Sequence, residues 1–270
     1  MPQIEDLIQT ATIMDPLRAP VLRSAIQALD LPLGSWGLDV GCGIGLQSLS
    51  LAEAVGAAGH VTGLDLSPEL LAYADDLAKK AGLAGRVSFG AGDVNQLPFE
   101  RNSFDWAWSV DLVGYAPVEP LPMVKELVRV VKPGGRVAIL AWTSERLLPG
   151  YPLLEARLSA TSAGLAPFTK GQKPESHFTR ALGWLRDAGL QALTARTLVG
   201  DVHAPLSHDL YSAMLALFQM RWSGAESELA PEDLGDFRRL CLPDSQDFIL
   251  DHPDYYAFFT YSMFHGKVPA

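Results

Sequence analysis

The run Asp39-Val40-Gly41-Cys42-Gly43-Ile44-Gly45 constrains this chain more than any other stretch. A short apolar segment, Gly37-Leu38-Asp39-Val40, reads as a strand that runs straight into a turn with glycine at every second place. Glycines so spaced let the backbone turn tightly, approach a ligand closely and present amides at the start of the helix expected over 46–55. The dinucleotide fingerprint needs glycine at the first, third and sixth places. Here Leu46 holds the sixth place and glycine the fifth, which argues against a nicotinamide dinucleotide.

Downstream, strands and helices alternate. Strands are expected at Val61 to Asp65, Val87 to Phe89, Phe104 to Val110 and Arg136 to Trp142. Ser67-Pro68 supplies an N-cap hydroxyl and a proline at the first helical position, and Lys132-Pro133-Gly134-Gly135 reads as a turn. Apolar strands alternating with helices predict a Rossmann-like, doubly wound α/β fold with a mostly parallel sheet covered on both faces. Ala192 to Val202 and Tyr255 to His265 would bring the sheet to seven strands. Before the first strand, helical spacing covers Ile4 to Ala11 and again Leu17 to Leu29, with Pro16 between them. Thr179 to Gly189 reads as a helix with a threonine cap and a glycine stop. The whole chain, 1–270, is expected to form one domain, with its core at about 36–143, 179–206 and 254–268. The remainder, about 144–178 and 207–250, reads as helical cap insertions.

Composition narrows the partners. The chain has 31 acidic and 21 basic residues, a formal net charge of −10, and no run of clustered Lys and Arg. Nucleic acid is therefore not an expected partner, because gripping a phosphate backbone needs such clusters. Two cysteines, Cys42 and Cys241, provide neither a disulfide framework nor a zinc cluster, so no metal is expected. The first ten residues lack the basic-then-apolar order of a signal peptide, and no apolar run approaches the length of a membrane span. A cytoplasmic protein without membrane association is the expectation; the oligomeric state is open.

With these motifs in order, the chain resembles class I S-adenosylmethionine (SAM)-dependent methyltransferases over about residues 36 to 142. Their first motif is an acidic residue two places before GxGxG, matched by Asp39 with Gly41, Gly43 and Gly45. Asp65, in Gly63-Leu64-Asp65-Leu66-Ser67, corresponds to the family's ribose-hydroxyl acceptor. Gly92-Asp93-Val94 followed by Leu97-Pro98-Phe99 corresponds to the adenine-contacting segment. Phe104-Asp105 and the Lys132-to-Gly135 turn match the family's later motifs. The set looks most like small-molecule methyltransferases, including those of quinone biosynthesis. The resemblance implies SAM as cofactor and S-adenosylhomocysteine as product. It implies a cofactor-binding set of Asp39, Gly41, Cys42, Gly43, Gly45, Asp65, Leu66, Gly92, Asp93, Val94 and Ser109. Cys42 would contribute only its backbone. Backbone groups near Gly41 and Gly43 would hold the amino acid tail, and Leu66 and Val94 would sandwich the adenine.

Methyl transfer needs alignment and exclusion of water more than it needs a dedicated base. No catalytic dyad stands out. Ligand-side positions after the fourth and fifth strands hold Ser109, Asp111, Tyr115, Trp142 and Thr143. Asp111, Tyr115 and His177 are the candidates for a catalytic role. The Asn-Pro-Pro-aromatic motif of amino-methylating nucleic-acid and glutamine enzymes is absent; the matching region reads Asp111-Leu112-Val113-Gly114-Tyr115. Those acceptors are therefore not expected. A small apolar or aromatic acceptor is the expectation; Phe218, Met220, Trp222, Tyr255, Tyr256, Phe258, Phe259 and Phe264 read chiefly as core packing, with lining of an apolar acceptor pocket as the lesser reading. Two alternatives stay open, a SAM-binding sensor or scaffold without methyl transfer and, less favoured, an NAD-dependent oxidoreductase.

Overall fold

A computed structural model describes residues 3–115, 119–165 and 173–270. Strands β1 (Trp36–Val40), β2 (His60–Asp65), β3 (Val87–Ala91), β4 (Phe104–Val110), β5 (Val131–Arg146), β6 (Gln191–His203) and β7 (Tyr256–Lys267) form one sheet. Its order is β3-β2-β1-β4-β5-β7-β6. The pairs from β3 to β5 are parallel, and β7 is antiparallel to both β5 and β6. The expected seven-stranded, mostly parallel, Rossmann-like sheet is therefore present. From β1 the chain steps outward through β2 and β3, then returns to the other flank of β1 as β4. That reversal opens a crevice beyond the carboxyl ends of β1 and β4, where folds of this kind bind ligands.

Side chains alternate along the strands and feed two cores. Trp106, Trp108, Ala138, Leu140 and Trp142 face one side with helices α1 (Ile4–Leu29), α2 (Leu46–Ala54) and α8 (His208–Trp222). Ala107, Val137, Ile139 and Ala141 face the other, under α4 (Pro120–Val130) and α7 (Ala181–Asp187). Helix α3 (Pro68–Lys80) starts as its sequence requires, with Ser67 Oγ accepting the Leu70 amide, Pro68 in the first turn and Lys79 and Lys80 in the last. Helices α5 (Pro152–Ser159), α6 (Ser162–Leu165) and α9 (Pro231–Cys241) lie with α8 in the two segments expected as cap insertions. Residues 166–172 of the first insertion lie outside the described residues.

Three local expectations need correction. The two N-terminal helices are one, α1, which runs through Pro16 and Pro20. A proline inside a helix costs about 3 kcal/mol, but the two are four places apart and crowd one face. The other face buries Met14, Leu17, Val21, Leu22, Ala25, Ile26 and Leu29. At roughly 1.5–3 kcal/mol for each large side chain buried, packing wins over both prolines. Lys132-Pro133-Gly134-Gly135 does not precede β5 but lies inside it, where the register against β4 shifts between Phe104 and Trp106. Gly134, at φ +79°, donates to the Val268 carbonyl at 2.9 Å, so the bulge is fastened to the chain's last residues. Thr179 does not cap α7, whose N-cap is Arg180 without a side-chain bond; Thr179 lies in the 3-10 turn Phe178–Arg180, which His177 caps, its Nδ1 accepting the Thr179 amide at 3.2 Å. Among the described residues, no helix is long and apolar enough to cross a membrane.

Candidate active site

The glycine turn emerges from the centre of the sheet into the crevice between β1 and β4. It is held from below. Gly41 and Cys42 both donate to the Leu64 carbonyl of β2, at 2.8 and 3.0 Å, and Gly45 donates to the Cys42 carbonyl at 2.9 Å. The Gly43 amide donates to Asp65 Oδ2 at 2.9 Å, while Asp65 Oδ1 accepts from the Ser67 amide at 3.1 Å. The amides of Gly41 to Gly43, expected to hold an amino acid tail, are thus already spent on the turn itself. What remains open beside it is the unpaired amide set at the N-terminus of α2.

Two of the glycines show different needs. At Gly45, φ is +80° and a Cβ would lie 2.8 Å from Phe89 and 2.9 Å from Ala74, so only glycine lets α2 begin this close to β3 and α3. At Gly43, φ is +53° and a Cβ would meet nothing within 4 Å. That open side is what close approach by a ligand requires.

A cavity of about 170 Å³ lies against the turn. Gly41, Cys42, Gly43 and Gln47 line one side, Val110 and Asp111 another, and Ala11, Asp15 and Arg18 of α1 close it. Asp65 stands half-buried at the end of β2, its oxygens fixed by the Gly43 and Ser67 amides, with Leu66 beside it 70% exposed. These groups fit SAM. The carboxylate of Asp65 suits a ribose diol, the exposed Leu66 an adenine face, and Asp15 with Arg18 the oppositely charged ends of an amino acid tail. Neither α1 residue was among the sequence candidates.

Other expected cofactor contacts face inward. Asp39 is 2% exposed and accepts the Ser48 hydroxyl at 2.6 Å, tying β1 to α2. Burial pushes its carboxyl up to about 7. Ser109 donates to the Val40 carbonyl at 3.0 Å and fastens β4 to β1. The Cys42 thiol is buried, its sulfur directed at Gly63, and burial raises its pKa well beyond the ordinary range. Gly92 donates to the Asp65 carbonyl at 3.0 Å, and Asp93 Oδ1 accepts from both amide groups of Asn95 at 2.8 Å in a local turn. Val94 packs into the core with Leu97 instead of facing Leu66 outward.

Beyond the cofactor cavity stands a polar wall. Arg18 Nη2 meets Asp111 Oδ2 at 2.5 Å, Arg18 Nε donates to the Tyr261 hydroxyl at 2.8 Å, and that hydroxyl donates to Asp111 Oδ2 at 2.9 Å. Asp111 Oδ1 accepts the Trp142 amide at 2.9 Å. Asp111, at φ +51°, is held in the left-handed region by its three side-chain contacts, to Arg18, Tyr261 and Trp142, and by its own amide on the Leu140 carbonyl. On the far side of Trp142 lies a larger cavity of about 330 Å³, lined by Tyr115, Trp142, Glu145, Arg146, Leu165, His177, Phe178 and Arg221 among others.

Of the three expected catalytic candidates, then, Asp111 is in the wall, and Tyr115 and His177 line the larger cavity. The Tyr115 hydroxyl donates to the Trp142 carbonyl, and burial raises its pKa above the ordinary phenol range. His177 Nδ1 also lies 2.8 Å from Thr179 Oγ1. Thr143, the other polar position expected after β5, contacts Thr260 and Ser262 at 3.0 and 2.9 Å and also reaches the cavity. The aromatic set is chiefly core packing, as its main reading from the sequence has it, and none of its members lines the larger cavity. Phe218, Trp222, Tyr255, Phe259 and Phe264 are core residues, while Met220 and Tyr256 are about half exposed, at 49% and 48%. Phe259 contributes only from behind, stacked on Trp142 with ring centroids 4.3 Å apart.

Comparison with known proteins gives this geometry its class. Residues 38–135 match the family described as a methyltransferase domain. Over 118 residues the chain is 42% identical to chloroplastic tocopherol O-methyltransferase of Arabidopsis thaliana, covering 44% of this chain and 33% of that protein. Over 129 residues it is 36% identical to demethylmenaquinone methyltransferase of Oceanobacillus iheyensis, covering 48% and 53%. The chain thus spans about half the length, or less, of these relatives. Among solved structures, a SAM-dependent methyltransferase from Aquifex aeolicus superposes with a TM-score of 0.53 at 25% identity, covering 73% of this chain and 92% of that one. Residues 38–135 are thus similar to a methyltransferase domain, and the fold is similar to that of a SAM-dependent methyltransferase. Over that stretch it is similar to tocopherol O-methyltransferase and demethylmenaquinone methyltransferase.

Proposed function

We propose that this chain transfers a methyl group from SAM to a small organic acceptor and releases S-adenosylhomocysteine. The observation that carries this is the pairing of two cavities across one wall. The first lies on the open side of Gly43 beside α1, and the second is lined by Tyr115, Trp142 and Phe178. Bound SAM would supply an electrophilic methyl on a sulfonium. The chain's own contribution is placement: α1 and the glycine turn fix the donor's side, while Trp142, rigid between Asp111 and Phe259, fixes the acceptor's.

Proton removal fits none of the three sequence candidates well. Both oxygens of Asp111 are engaged, and burial holds Tyr115 protonated. With Nδ1 of His177 accepting the Thr179 amide, its neutral ring carries the proton on Nε2. An acceptor that arrives already ionised, or needs no proton loss, suits this site. The relatives named for tocopherol and demethylmenaquinone methylation support a small aromatic acceptor.

The test is turnover of isotopically labelled SAM with a panel of small phenols, quinols and aromatic acids. Acceptor-dependent formation of S-adenosylhomocysteine is the expected result. Tight S-adenosylhomocysteine binding without turnover on any acceptor class would favour a sensor or scaffold instead.

A further inference from the structure

The larger cavity holds a charge arrangement that the cofactor does not explain. Arg221 projects from α8, near the C-terminus of that helix, with its side chain only 16% exposed. Its Nε lies 3.0 Å from Glu145 Oε1, and its guanidinium carbon lies 5.6 Å from the centroid of the Trp142 ring. Glu145 is itself fixed from the other side, its Oε2 accepting the Trp142 indole N–H at 2.5 Å. The guanidinium is therefore held on one edge and over one ring. Its Nη1 and Nη2 donate to no described residue, and the residue lines the cavity.

A second guanidinium stands nearby. Arg146 also lines the cavity, its Nη1 donating to the Glu145 carbonyl at 2.8 Å. The charged side chains of the described lining are thus two arginines against one carboxylate, in a chain whose overall charge is −10. A buried arginine with spare parallel donors is preorganised for bidentate pairing with a planar anion, and little ordering cost is left for the ligand to meet. The neighbouring apolar walls are Tyr115, Phe178 and Leu165, suited to one flat ring.

We infer that the acceptor cavity takes a small aromatic carboxylate, its anionic oxygens paired with the Nη1 and Nη2 groups of Arg221. This rests on the larger cavity being the acceptor site of the proposed methyl transfer. Glu145 acts here as a positioning residue: it orients Arg221 and lowers the net positive charge that an anion meets.

The experiment is calorimetric titration of the full chain with 3,4-dihydroxybenzoate and with 3,4-dihydroxybenzamide, a neutral probe of nearly the same shape. Each is titrated with and without saturating S-adenosylhomocysteine. A hydrogen-bonded charge pair in a partly desolvated site predicts a preference for the carboxylate of about 10- to 100-fold. The paired variant Arg221→Gln/Glu145→Gln, which leaves no charge unpartnered, should bring the two probes within about threefold while still binding S-adenosylhomocysteine. Glu145→Gln alone should strengthen carboxylate binding and leave the amide unchanged, an effect of opposite sign that loss of folding cannot imitate. Equal affinity for the two probes, no binding of either, or a carboxylate preference that survives in the paired variant would overturn the proposal. Failure of wild-type protein to bind S-adenosylhomocysteine would instead overturn the cofactor reading, and the two-probe comparison without it still decides the role of Arg221.

Discussion

Gly43 and Asp65 stand 22 residues apart in the chain and 2.9 Å apart in the fold, and the bond between them joins two sequence motifs into one site. At this scale the sequence is most legible where one residue type is required by geometry. Glycine at positions 43 and 45 is such a case, because left-handed backbone and crowding at Gly45 exclude side chains. Asp39 is less legible. Its place in the motif suggests a ligand contact, yet it is a buried carboxyl serving Ser48. Burial raises its pKa to about 7, against about 4 in an unfolded chain. Between those values the unfolded state releases a proton that the folded state keeps, so stability falls as pH rises through that window and levels off above it. In Asp39→Asn this loss is absent. The melting temperature of the variant relative to wild type should therefore climb between pH 4.5 and 7, as read by calorimetry; a constant difference across that range would show that Asp39 is ionised in the folded protein.

Among the elements, α1 shows most clearly why local sequence can mislead. Pro16 marks a helix end by every local rule, and only the long-range burial of Met14 through Leu29 carries the helix past it. Two arginines carry a signal of long-range pairing in their spacing. Arg18 lies four residues from both Met14 and Leu22, and Arg221 lies three from Phe218, so each interrupts the buried stripe of its helix. A lone cation in such a stripe needs a partner, and these find Asp111, just after β4, and Glu145, in β5, both far away in the chain. Two predictions belong here. Arg18→Gln unties α1 from Asp111 and Tyr261, and should weaken S-adenosylhomocysteine binding about tenfold or more, as expected for losing a charge-assisted hydrogen bond, with Kd measured by calorimetry. Gly200→Ala in β6 puts a Cβ at 2.4 Å from Phe259 and 2.5 Å from Val21, and should cost about 1–3 kcal/mol in urea unfolding because α1 must lift. An unchanged midpoint would mean that α1 does not rest on β6 as described.

For the whole molecule, the mostly parallel seven-stranded sheet was legible from the alternation of strands and helices, and so was the ligand side after the fourth strand; the strand order that opens the crevice appears only in the fold. The acceptor side was not legible. Its walls come from β5, α6, α8 and the segment around His177, which nothing in the sequence brings together. No periodicity brings Glu145 to Arg221; the antiparallel β7 and the packing of α8 do so only in the folded chain. A ligand that bridges these parts stabilises all of them together. S-adenosylhomocysteine at about 100 times its Kd should add about 2.7 kcal/mol to stability. That corresponds to a rise in melting temperature of several degrees, with no rise for NAD at the same concentration.

The most direct measurement is calorimetric titration of wild type and Asp65→Ala with S-adenosylhomocysteine and, separately, with NAD. Binding of S-adenosylhomocysteine alone, lost or weakened at least about tenfold in the variant, is the expected result, since Asp65 would give up charge-assisted bonds to the ribose. Well-folded wild-type protein that binds NAD, or that ignores S-adenosylhomocysteine, would contradict the assignment of this crevice to SAM.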